Sequence, residues 1–158
     1  MIDPRVRFML AAIRLAQDNV RRNSGGPFGC VIVKGGKIIS RARNSVTKHH
    51  DPTAHAEIIA IRKACRKLKT FQLQECELYC SCEPCPMCLG AIYWARPSRV
   101  FYATTREDAA AAGFDDDFIY HEILIAHESR KIRFTRLEVK SALSVFDEWK
   151  QKADKISY

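Results

Sequence analysis

The chain has 158 residues, enough for one domain with a real core; it is 47% hydrophobic and carries a formal net charge of +8. No apolar run approaches a membrane span, and the charged start Met1-Ile2-Asp3-Pro4-Arg5-Val6-Arg7 lacks the continuous apolar stretch of a secretory signal. Seven cysteines, an odd number, without such a signal indicate reduced thiols and a cytoplasmic setting. The basic residues are dispersed. Arg5, Arg7, Arg14, Arg21 and Arg22 follow the first expected helix, and Lys63, Arg66, Lys67 and Lys69 close another. Solvated helix faces and favourable helix C-termini account for most of them, so a nucleic-acid partner is not expected.

Asp3 and Pro4 suit the start of a helix, and Val6, Met9, Leu10, Ile13, Ala16 and Val20 recur at helical spacing until Asn23-Ser24-Gly25-Gly26 stops it. Residues 28–34 and 37–43 read as two strands joined by the two-residue turn Gly35-Gly36. Asp51-Pro52-Thr53 leads into a helix to about Leu68. Residues 77–81 form a third strand, 85–95 a helix and 99–103 a fourth strand. A helix between two strands predicts a parallel pair through a crossover. Alternation over 132–139 predicts a fifth strand, and 141–155 a closing helix with Leu143, Phe146 and Trp149 on one side. No repeat, low-complexity segment or linker interrupts the order. The expectation is a single α/β domain over 1–158.

Two segments carry the chemistry. Thr53-Ala54-His55-Ala56-Glu57 offers an imidazole and a carboxylate, and Pro84-Cys85-Pro86-Met87-Cys88 offers two thiols. His55, Cys85 and Cys88 make three zinc ligands. Structural zinc sites fill all four corners with protein atoms, whereas a catalytic site keeps one open for water. Cys85 and Cys88 share a face at the start of a helix, where the dipole favours thiolate. Two thiolates and a neutral imidazole leave the zinc unit close to neutral, which acidifies its water less than three histidines would. Proton transfer by Glu57 then matters more. A Cys-x-x-Cys alone also suits a redox motif or a zinc ribbon, but neither uses His55 and Glu57. Cys80 and Cys82 have the wrong gap for a ribbon and read as the buried end of a strand, and Cys30 as core filling.

The pairing of His-x-Glu with Pro-Cys-x-x-Cys is the signature of zinc-dependent nucleobase deaminases, and the chain resembles the cytidine deaminase superfamily. Further stretches resemble its bacterial guanine deaminase branch: Gly25-Gly26-Pro27-Phe28-Gly29, Asn44, Asp51 to Glu57, Ser81 to Pro97, Ala112-Gly113-Phe114-Asp115-Asp116, and a chain ending in Tyr158. The resemblance implies a three-layer α/β/α fold around a central mixed five-stranded sheet. It implies one Zn²⁺ per subunit and attack of zinc hydroxide on C2 of guanine, giving xanthine and ammonia with Glu57 as proton shuttle. Phe28 would line or stack on the purine, Asn44 would hydrogen-bond it, Asp116 would contact its amino side, and Ala56 would also contact it. The branch forms homodimers in which the C-terminal segment, about 141–158, is swapped, so Tyr158 would complete the partner's pocket.

Physical logic supports the substrate. Guanine presents N1–H and the 2-amino group as adjacent donors, which an ionised carboxylate at Asp116 can meet; adenine presents an acceptor at N1 instead. Without the resemblance, Asp115, Asp116 and Asp117 read as an acidic turn, Phe28 as core, Asn44 as a strand-end residue and Tyr158 as a frayed terminus. His49 and His50 read as surface residues, a pH-sensitive edge, or contacts to a larger substrate. The alternative functions are a guanosine deaminase, a tRNA adenosine deaminase and, outside the enzymes, an inactive zinc-binding homologue.

Overall fold

The computed structural model describes residues 3–114 and 116–158; Asp115, part of the expected acidic turn, lies outside the described residues. One compact unit ends at Phe118 and a second comprises Ile119–Tyr158.

In the first unit, α1 (Pro4–Arg21) begins where Asp3 accepts a hydrogen bond from the Arg5 amide. It is followed by the hairpin β1 (Gly29–Lys34) and β2 (Lys37–Arg43), then a short α2 (Val46–His49). Gly35 and Gly36 both have positive φ, +54° and +71°, which a two-residue turn matching strand twist requires. Next come α3 (Ala56–Leu68), β3 (Cys76–Cys82), α4 (Pro86–Ala95), β4 (Arg99–Thr104) and α5 (Arg106–Ala111). The sheet order is β2-β1-β3-β4. β1 runs antiparallel to both neighbours, while β3 and β4 are parallel through the α4 crossover.

The alternation of β1 builds both cores. Cys30 and Ile32 join Ala56, Ala60, Ala64, Leu78 and Ile92 on the face covered by α3 and α4. Val31 and Val33 join Phe8, Ala12 and Tyr79 on the α1 face. The three-layer arrangement expected from the sequence is therefore present. Gly29 lets α1 sit this close: a Cβ there would lie 2.2 Å from the Ala12 carbonyl oxygen. Cys30 fills core as expected, 3.8 Å from Cys80 across the strands. On the outer strand β2, Lys63 donates to the Arg41 carbonyl at 3.1 Å and Lys67 to that of Ile39 at 3.3 Å. These lysines occupy carbonyls of an edge strand that would otherwise template further pairing.

The sheet has four strands among the described residues, not five. Residues 132–139 form no strand: Ile132, Phe134, Leu137 and Val139 are all more than half exposed. Their alternation has no sheet partner and no buried face to serve. The second unit begins within α6 (Asp117–Leu124). There Lys131 donates its amide to Glu122, and Arg130 lies over the Phe134 ring at 5.1 Å. The expected closing helix is shorter than read, α7 (Ser144–Gln151) after one 3-10 turn. Its Leu143, Phe146 and Trp149 remain exposed in the single chain. Among the described residues no helix is long and apolar enough to cross a membrane.

Candidate zinc centre and active-site cavity

Two helix starts make the centre. His55 is the N-cap of α3 and Cys85 the N-cap of α4, with Cys88 one turn further on. Neither N-cap side chain caps its own helix. Instead both turn toward each other. Cys85 Sγ and Cys88 Sγ lie 3.5 and 3.6 Å from His55 Nδ1. A tetrahedral ion with Zn–S of about 2.3 Å and Zn–N of about 2.0–2.1 Å requires an S···N separation of about 3.5–3.6 Å. The donor set fits zinc, with Nδ1 as the imidazole ligand. All three ligand atoms lie within 4.8 Å of one another.

The electrostatics favour the same reading. Hydrogen bonding with Cys88, then with His55, draws the Cys85 thiol down to about 4, despite burial. The same contact with Cys85, with burial and Glu57 adding to it, pushes Cys88 up. A metal takes both sulfurs as thiolates, displacing whatever protons they carry. The hydrogen bond with Cys85 raises His55. Glu57, in the first turn of α3, is only 5% exposed. Burial raises its carboxyl above the ordinary range, and Oε2 accepts from Cys88 at 3.4 Å. It supplies no ligand atom to the three-residue cluster, so its oxygens remain for proton work.

The centre opens into a cavity of about 330 Å³, near the small end of ordinary ligand pockets. Its lining brings together His55, Glu57 and Cys85 with Phe28, Asn44 and Asp116. Phe28 meets Phe114 edge to face, ring centroids 4.9 Å apart at 81°. Asn44 Oδ1 accepts from the amides of Gly26 and Val46 at 3.3 and 3.2 Å. Both lone-pair directions are taken, which leaves the Nδ2 donor for a ligand.

Some residues fall elsewhere. Ala56 is fully buried in the core and is not among the lining residues. Tyr158 belongs to the second unit, with its side chain largely exposed. His49 and His50 end α2 and are exposed, His50 closing the helix in the left-handed region at φ +50°. Sequence reasoning missed Thr47, Glu83 and Phe114 as lining residues. Phe114 had a signal, since it lies inside the Ala112 to Asp116 stretch already singled out. Glu83 precedes Pro84 in the cysteine motif and accepts from the Arg106 amide at 3.2 Å. Thr47 had none.

Three protein ligands with a carboxylate beside them, opening on an aromatic-walled cavity, are the parts of a hydrolytic zinc site. The family described as the cytidine and deoxycytidylate deaminase zinc-binding region matches residues 3–104. The guanine deaminase of Bacillus subtilis is 56% identical over 96% of this chain and 97% of its own. Its crystal structure superposes with a TM-score of 0.94 at 55% identity over the same shares. The tRNA-specific adenosine deaminase of Aquifex aeolicus is 46% identical over 61% of this chain and 63% of its own. A guanine deaminase structure from Nitrosomonas europaea gives a TM-score of 0.65 at 34% identity, covering 69% of this chain and 63% of that one. The chain belongs to the cytidine and deoxycytidylate deaminase family, on the branch that includes these guanine deaminases.

Proposed function

We propose that this protein hydrolyses guanine to xanthine and ammonia, with zinc held by His55, Cys85 and Cys88. The observation that carries the substrate is one shared cavity: Asp116 and the Asn44 amide line the same space as Glu57 and the ligands. A carboxylate accepts from the guanine N1–H and 2-amino donors, and the Asn44 donor suits its acceptors O6 or N7. Adenine would set a ring lone pair against Asp116, and a buried mismatch of this kind costs strongly. The Bacillus relative supports the same choice.

Bound zinc supplies a water whose pKa falls toward neutrality. Glu57 takes a proton from the attacking water and passes one to the ring nitrogen beside C2. It then delivers a proton to the departing amine, so that water and guanine become xanthine and ammonia. Phe28 and Phe114 form an aromatic corner against which a planar base packs, with one ring to its face and the other at its edge. An ammonia-release panel of guanine, guanosine, adenine, cytosine and tRNA tests the assignment. Guanine is expected to lead; turnover of another member with guanine inert would refute it.

The protein acts as a homodimer whose tail, about 141–158, crosses to the partner and places Tyr158 over the partner's cavity. The support is the exposed apolar series Leu143, Val145, Phe146, Trp149, Ile156 and Tyr158, which a single chain leaves wet. Deleting residues 152–158 is expected to lower guanine kcat/KM by at least about tenfold, the scale of losing one substrate-closing contact. Undiminished turnover would remove Tyr158 from the site. The seven cysteines are all free thiols, which supports a cytoplasmic setting.

A further inference from the structure

Asn19 lies in the last turn of α1, is fully buried, and is not among the residues lining the cavity. Its Nδ2 donates to two carbonyls, that of Gly26 at 3.0 Å and that of Asn44 at 2.7 Å. These belong to different segments, the loop entering β1 and the residue after β2. The two segments are also joined directly, because the Asn44 amide donates to the Phe28 carbonyl at 3.0 Å and the Gly26 amide to Asn44 Oδ1. The Val46 amide closes the set on the same Oδ1. Gly26, Phe28, Asn44 and Val46 all line the cavity. Four wall residues thus share one network, and one buried side chain behind the wall ties it to α1.

The neighbouring backbone is shaped around this bridge. Gly25 has φ +152°, and a Cβ there would lie 2.6 Å from the Asn44 carbonyl oxygen and 3.2 Å from Asn19 Nδ2. No larger residue fits between bridge and wall. Packing does not explain an amide here. Its Oδ1 is buried without a partner among the described residues, a cost that a leucine of similar size would avoid. What leucine cannot do is hold two carbonyls from separate segments at hydrogen-bond distance.

We infer that Asn19 is a positioning residue: by clamping the Gly26 and Asn44 carbonyls it fixes the Asn44 carboxamide with its donor toward the base. The inference rests on the guanine reading for the identity of that base, not for the existence of the clamp. Once Asn19 is lost, the Gly26 and Val46 amides that donate to Asn44 Oδ1 separate and the carboxamide turns freely, so the wall no longer offers a defined donor. Recognition suffers while zinc loading, made on α3 and α4, does not.

A double-mutant cycle on the zinc-loaded full-length protein tests this. Asn19→Leu is expected to lower guanine kcat/KM about tenfold, mostly through KM, the scale of one misplaced hydrogen bond. Asn44→Ala is expected to lower it at least as much, and Asn19→Leu on top of Asn44→Ala to add less than about twofold. Zinc per chain should equal wild type throughout. Additive losses, an unchanged kcat/KM in Asn19→Leu, or a loss matched by zinc loss would each overturn the clamp. Asn19→Ser retains one donor and a smaller volume, so the same additivity criterion holds if the leucine variant does not fold. If wild type turns over another base but not guanine, the guanine reading fails. The cycle is then run on that base and still decides the role of Asn19.

Discussion

Glu57→Gln is expected to bind zinc as wild type does while its guanine kcat falls by about 10²–10⁴, the usual worth of a general acid–base group. The substitution isolates proton transfer. Glutamine has nearly the same shape, so the packing around a side chain only 5% exposed is kept. Its carboxamide keeps a polar group facing Cys88, which lies 3.4 Å from Glu57 Oε2, and can donate to the sulfur once zinc holds it as thiolate. What is lost is the capacity to take up a proton and give it back. Metal content by atomic absorption and turnover by ammonia release separate the two roles. Full activity in this variant would sink the shuttle, and loss of zinc would instead place Glu57 among the ligands.

Removing zinc is expected to abolish turnover and to loosen the molecule at a defined place. His55 and Cys85 begin α3 and α4 without capping them, so the ion is the tie between two helix starts. A ligand present at a thousandfold over its Kd stabilises the folded state by about 4 kcal/mol. For a chain of this size that corresponds to roughly 10 °C in Tm. Stripping with a chelator should lower Tm on that scale, and zinc should restore both Tm and activity. In Cys88→Ala zinc should restore neither. Reloading in weak buffer should also release protons, because the Cys88 thiol is pushed up by its contact with Cys85 and by burial, while zinc takes its sulfur ligands as thiolates. An apoprotein with unchanged Tm and undiminished turnover would rule out a catalytic metal.

Much of this was legible in the sequence because the signals were local. Gly35-Gly36 announces a tight hairpin turn, and the pairing of His55 and Glu57 with Cys85 and Cys88 announces a metal centre through residue type and its resemblance to the deaminase signature. Both cores follow from the continuous apolar run of β1. The misses share a cause, which is that periodicity records a side chain's preference but not its partner. Ile132 to Val139 alternates as a strand would, yet forms no strand among the described residues, and its apolar side chains stay more than half exposed. Residues 141–155 are amphipathic, yet only Ser144–Gln151 closes into a helix. Asn19 reads as one polar position near the end of an amphipathic helix, and nothing local marks it as fully buried. Thr47 lines the cavity because the short α2 begins two residues after Asn44, and no residue pattern around it marks that position.

The lysines of α3 that reach the carbonyls of β2 belong to a larger pattern. Between Lys34 and Lys69 there are ten lysines and arginines against two acids, Asp51 and Glu57, so this stretch alone carries the chain's formal net charge of +8. The remainder balances to zero. Two copies approaching through their β2 edges therefore meet like charge with like, and encounters are turned toward other faces. The effect is colloidal and tunable. Its range is about 10 Å in 0.1 M salt and about 3 Å in 1 M, so concentrated salt should remove the repulsion and leave the two lysine caps as the remaining guard on that strand.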